Sequence, residues 1–134
     1  MNESLENLLY DWNETYKKSL LSFWILLSLS EGAKYPAEIA TFLSKYGNGN
    51  LDVKEQSLYR ALRRFKAMQI VDVDERPSPQ GGPNRKYFAL SPTGSALLRE
   101  FTRQNIHSFT TPDIEKRITN ILNGDPHNDQ INHQ

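Results

Sequence analysis

Apolar residues recur along this chain in blocks with a helical period, interrupted once by a short alternating segment. Tyr16, Leu20, Phe23, Trp24 and Leu27 form the main stripe of a first helix, with Asp11 and Glu14 flanking its start like a capping pair. Leu21, Ile25, Leu26 and Leu29 fill most of the other directions. A helix apolar around its girth must be covered on more than one side. The domain core is expected to supply one cover and a second subunit the other. Glu31-Gly32 ends this helix, and Tyr35-Pro36 opens a second, whose buried face is Ile39, Phe42 and Leu43. Gly47-Asn48-Gly49-Asn50 reads as a turn; a GxG with no strand before it is a weak phosphate signal.

A third helix follows, capped by Asp52 with Glu55 three residues on. Leu58, Ala61, Leu62, Phe65 and Met68 share its inner face, whereas Gln56, Tyr59, Arg60 and Arg63 point outward, flanked by Ser57 and Arg64. Ile70 to Asp74 alternates as a half-buried strand, Arg76 to Asn84 is a loop with three prolines and two glycines, and Arg85 to Leu90 is the return strand. Ser91 caps a fourth helix with Pro92 at its first position and a stripe of Leu97, Leu98, Phe101 and Ile106. Pro112 starts a last helix on which Ile114, Ile118, Ile121 and Leu122 align, ended by Asn123-Gly124. The expected fold is mainly α with a small β-ribbon: a winged helix-turn-helix followed by C-terminal dimerisation helices. Its expected parts are an N-terminal extension (1–11), a winged-helix domain including a dimerisation helix (12–107), a short C-terminal helix (108–124) and a polar, disordered tail (125–134).

The formal net charge is zero, yet its distribution is uneven. Ten Lys/Arg stand against five acids from Lys54 to Arg103, a surplus of five that the remainder cancels. Screening acts over about 8 Å at physiological salt, so a ligand feels the local patch and not the sum. The absence of cysteine excludes disulfides and thiolate metal sites and fits a cytoplasmic location. The first twelve residues carry acids and no basic residue, unlike a secretory or transit signal. The longest apolar run, Leu20 to Leu29, is ten residues with two serines in it. A membrane span needs about 20, so a buried helix is expected and no membrane partner.

Chemistry concentrates between Ser57 and Gly94. No acid lies between Glu55 and Asp72, although a merely solvated helix normally mixes in acids. An arginine can grip a guanine edge or a phosphate, a glutamine can pair with adenine, and a tyrosine hydroxyl can bond a phosphate. Gln56, Ser57, Tyr59, Arg60, Arg63 and Arg64 are therefore candidates for a duplex-DNA face, with Gln56, Ser57 and Arg60 better placed than Lys66 to read bases. Arg85 and Lys86 open the return strand and point to opposite sides, Arg85 being the preferred contact. Asp72 and Asp74 share one side of a strand, but no third acid, histidine or nucleophile joins them, so no catalytic or metal role is assigned. His107, His127 and His133 lack ligand spacing, and no cofactor is implied. Trp12 and Trp24 are candidates for an aromatic pocket between subunits that would take a small-molecule inducer, though packing is the simpler role.

These pieces resemble the PadR family of bacterial winged-helix repressors. The matching elements are Ser57, Leu58, Tyr59 and Leu62 on the third helix, Arg85, Lys86, Tyr87 and Leu90 on the return strand, and Gly94, with Phe88 and Ser91 as conservative departures. The resemblance implies a homodimer that binds an inverted-repeat operator and represses the adjacent gene. Leu20, Phe23, Trp24, Leu27, Leu97, Leu98, Phe101, Ile114 and Ile118 would build its interface. Many members carry a long C-terminal dimerisation domain; the compact form here is similar to members that repress a circadian clock gene. The competing expectation is a winged-helix module that meets an acidic protein and does not touch DNA.

Overall fold

The computed structural model describes residues 2–49 and 51–124, so the tail expected to be disordered lies outside the described residues. The contacts fall into two compact units, residues 1–98 and residues 99–134.

The first unit opens with α1, Glu3–Leu29. It starts eight residues before the expected cap at Asp11. Asn2 supplies the actual cap, its side chain accepting a hydrogen bond from the Leu5 amide at 2.7 Å, and Glu3 and Glu6 favour the positive end of the helix dipole. Asp11 and Glu14 are interior residues, and the expected N-terminal extension is helical from Glu3 onward. The helix stops at Leu29, where Gly32 takes a φ of +137° that side chains disfavour.

Tyr35 is extended, as a residue before proline must be, and α2 runs Pro36–Tyr46. The Glu38 carboxylate accepts a hydrogen bond from the Tyr35 amide at 3.1 Å, which fixes the entry to this helix. The third helix, α3, spans Glu55–Ala67. Its cap position is Lys54, in extended backbone and without a side-chain bond, so the expected cap at Asp52 is not formed; Asp52 sits two residues too early. At the other end Gln69 has φ +62°, its amide bonds Lys66 O at 2.9 Å and the Ile70 amide bonds Phe65 O at 3.0 Å. This paired closure is a Schellman motif, with the Ile70 and Phe65 side chains on the core side. It also moves Met68 out of the expected inner face: the residue caps the helix and is 56% exposed.

Strands β1 (Val71–Arg76) and β2 (Arg85–Leu90) pair antiparallel from Val71↔Leu90 to Arg76↔Arg85. Lys34 adds a bridge on the far edge of β2, exchanging backbone bonds with Phe88 at 2.8 and 2.9 Å. Period-two alternation assigns the faces. Val71, Val73 and Phe88 look toward the core; Asp72, Asp74, Arg76, Arg85 and Tyr87 look outward.

The core joins Ile25, Leu26 and Leu29 of α1, Ile39 and Leu43 of α2, Leu58, Ala61, Leu62 and Phe65 of α3, and Ile70, Val71 and Phe88 of the ribbon. Buried Ser28 costs little, since its hydroxyl donates to Ile25 O at 2.6 Å. The fourth helix, α4 (Pro92–Phe101), is pinned where it leaves β2: Ser91 Oγ accepts from the Gly94 amide at 3.0 Å and donates to Gln69 O at 2.8 Å. A Cβ at Gly94 would overlap the Ile70 carbonyl, so only glycine permits this approach.

In the second unit a π-helical segment, Thr102–Ile106, continues the helical path from α4. Its wider turn changes the phase of the side chains, so Ile106 does not simply extend the stripe of Leu97 and Phe101 as expected. A single 3-10 turn, His107–Thr110, leads to α5, Pro112–Leu122. Among the described residues no helix is long and apolar enough to cross a membrane.

Candidate nucleic-acid interface

The outer face of α3 and the loop end of the β-ribbon border one surface. A cleft of about 690 Å³ lies between the start of α2 (Tyr35, Pro36, Ala37), the α3 residues Glu55 and Tyr59, and the ribbon residues Asn84, Arg85 and Lys86. A shallower depression of about 400 Å³ continues along α3, lined by Glu55, Gln56, Tyr59, Arg60 and Arg63. Glu55 and Tyr59 belong to both, which makes the two hollows one concave strip. The packing behind it is simple. Leu58, Ala61, Leu62 and Phe65 anchor the inner face of α3, which turns Gln56, Arg60 and Arg63 to the opposite side.

Of the residues singled out from the sequence, Gln56, Arg60 and Arg63 are exposed on this strip, and Tyr59 is half-buried at its centre. Ser57 is half-buried beside them. Among the described residues neither Arg60 nor Arg63 has a carboxylate partner, so both keep their full set of donors. Arg64 stands apart: its Nη2 donates to Ser22 Oγ of α1 at 3.4 Å and its guanidinium lies over the Phe65 ring. Arg85 and Lys86 both line the cleft but differ in their surroundings. Arg85 is half-buried on the outer face with its guanidinium 4.3 Å from the centre of the Tyr35 ring, while Lys86 is exposed and sits opposite Glu75 in register. Asp74 forms an ion pair with Arg76 at 3.3 Å, a plain structural use for that carboxylate.

Tyr35 and Asn84 were not singled out from the sequence as site residues. The signal for Tyr35 was its place before Pro36, which forces extended backbone that can join a strand edge. Among the described residues no group of acids and histidines could hold a metal ion.

The residues expected at a dimer interface divide. Trp24 and Leu98 pack against the core, so much of their apolar surface is satisfied within the subunit. Leu20, Phe23, Leu27, Phe101 and Ile114 are half-buried, and Leu97 and Ile118 are exposed. Trp12 and Trp24 lie twelve residues apart on one helix, about 18 Å along its axis, so they cannot meet in one subunit. The sequence reading missed a second stripe, Leu5, Leu8, Leu9 and Trp12, all exposed on the first turns of α1. Its signal was the spacing i, i+3, i+4, i+7.

Residues 25–100 match the group described as the transcriptional regulator PadR-like family. The chain belongs to that family. Its fold agrees with solved PadR-like structures. A PadR-like transcriptional regulator of Bacillus cereus is 28% identical with a TM-score of 0.59, over 78% of this chain and 93% of that one. Bacillus subtilis PadR in complex with operator DNA is 16% identical with a TM-score of 0.55, over 61% of this chain and 46% of that one. The circadian clock associated protein Pex from Anabaena is 20% identical with a TM-score of 0.54, over 67% and 80%. The last two likenesses are of fold. The PadR-like family is one of transcriptional regulators and not of enzymes. Its resemblance elements here have distinct physical jobs: Leu58, Leu62, Leu90 and Gly94 pack the core, whereas Tyr59, Arg85 and Lys86 line the cleft.

Proposed function

We propose that the chain is a sequence-specific double-stranded DNA-binding repressor that acts as a homodimer on an inverted-repeat operator. One observation carries the reading: Gln56, Tyr59, Arg60 and Arg63 of α3 and Asn84, Arg85 and Lys86 of the wing border one concave strip. In this reading the N-terminal half of α3 enters the major groove, where Gln56 and Arg60 meet base edges. Arg63, Arg85 and Lys86 hold phosphates alongside. The exposed stripe on α1 and the exposed Ile118 and Ile121 support assembly with a second copy. Two-fold symmetry then sets the two α3 helices about 34 Å apart, one turn of duplex. A cytoplasmic location goes with this role. The clock-gene target suggested by the compact size is not part of the proposal, because 20% identity to Pex supports a shared fold only.

Selection of bound sequences from a random duplex pool tests the operator and its symmetry together. A salt series tests the contacts: Arg63→Ala and Arg85→Ala are each expected to reduce the slope of log K against log salt by about one unit. No shift of any duplex at low salt, together with clean capture of an acidic protein partner, would favour the protein-binding alternative.

A further inference from the structure

Four side chains on the outer face of the ribbon form a ladder. The Arg76 guanidinium carbon lies 4.3 Å from the centre of the Tyr87 ring. Tyr87 meets Tyr35 edge to face, with ring centres 5.4 Å apart at 72°. The Arg85 guanidinium carbon lies 4.3 Å from the centre of the Tyr35 ring. The Lys34–Phe88 bridge explains how Tyr35 arrives there: it sets Tyr35 beside Tyr87 on the same face of β2.

The register makes this arrangement costly unless it has a use. Arg76 and Arg85 are direct cross-strand partners at the last rung before the loop. Like charges directly opposite each other destabilise a ribbon. Asp74 offsets Arg76 through Nε at 3.3 Å, and Lys86 faces Glu75, but among the described residues Arg85 has no carboxylate. Each guanidinium sits within cation–π reach of a ring, which attracts the cation and restrains its position. An arginine has five N–H donors, so Asp74 leaves most of those on Arg76 unused. Two restrained guanidinium groups on one rung, with a surplus positive charge, suit one kind of ligand, a bridging oxyanion.

We propose that Arg76 joins Arg85 in a two-guanidinium clamp for a DNA phosphate, and that Tyr87 and Tyr35 are the positioning residues that hold it. The inference rests on reading α3 and the wing as a duplex-binding face. Arg85 already lines the cleft beside α3, so the clamp extends the same strip across the ribbon from β2 to β1. Tyrosine positions the cation through its ring and not its hydroxyl, so phenylalanine should replace it and leucine should not.

The test uses the full chain and a labelled mixed-sequence duplex, followed by anisotropy across a salt series. Arg76→Ala is expected to lower the slope of log K against log salt by about one unit, as Arg85→Ala does. Tyr87→Leu and Tyr35→Leu should each weaken binding about two- to fivefold, while Tyr87→Phe and Tyr35→Phe keep wild-type affinity. Proton spectra supply a readout independent of DNA: the Arg76 and Arg85 side-chain methylenes should show upfield ring-current shifts in the wild type and both Phe variants, lost in the Leu variants. A wild type that binds duplex while Arg76→Ala keeps an unchanged slope would overturn the clamp. So would Phe variants as weak as Leu variants. Absence of any duplex binding by the wild type at low salt would overturn the interface reading beneath it, whatever the ring-current shifts show.

Discussion

The two halves of α1 carry similar apolar side chains at similar spacing and meet opposite fates. Toward its C-terminal end Ile25 is 0% exposed, and Leu26 and Leu29 are nearly so. Toward its N-terminal end Leu8 is 65% exposed and Trp12 75%. Both halves satisfy their backbone along one continuous helix, so local structure does not separate them. The difference lies in what the rest of the chain can reach. α2, α3 and the ribbon close around the C-terminal half, whereas among the described residues the N-terminal stripe stays exposed. An amphipathic stripe therefore records a demand for cover, and only the arrangement of other elements decides whether the same chain meets it.

This contrast can be broken by measurement. The largest effect is expected at the buried half: Ile25→Ala should cost about 2–5 kcal/mol of unfolding free energy in urea, since the cavity is lined by well-packed neighbours. Gly94→Ala should cost about 1–3 kcal/mol, because the added methyl overlaps the Ile70 carbonyl where α4 leaves the ribbon. The smallest effect on subunit stability is expected at the exposed half. Leu8→Ala and Trp12→Ala should each change unfolding of the dilute protein by less than about 0.5 kcal/mol. In sedimentation at rising concentration the same two variants should favour the monomer. A loss of stability as large as that of Ile25→Ala in dilute solution would mean that the stripe is buried within the subunit after all.

Much of the architecture was legible along the chain. The order of helices and strands, the limits of β2 and the starts of α2, α4 and α5 follow from proline placement, alternation and the Ser91 cap, all local signals. Two caps were misread. Asp52 is a good capping residue at the wrong distance, and Asn2 caps residues that read along the chain as an extension. Met68 matched the wheel of α3, yet the helix unwinds at that residue and the wheel no longer applies. The outward set Gln56, Tyr59, Arg60 and Arg63 was legible because the apolar set on α3 leaves it no other direction. The separate course of Arg64 was not, since its partner Ser22 is 42 residues away.

By itself the sequence determined where helices and strands form and which side of each is apolar, because periodicity and caps act between residues three or four apart. It also determined that positive charge gathers on α3 and the ribbon. Only the tertiary structure decided that Tyr35 stands beside Tyr87, that Arg76 and Arg85 share a rung, and that Leu5, Leu8, Leu9 and Trp12 of α1 stay exposed among the described residues. Those outcomes depend on strand register and on the closing of elements far apart in the chain. No local preference encodes such distances, and a one-residue slip of β2 would send Arg85 and Tyr87 to the opposite face.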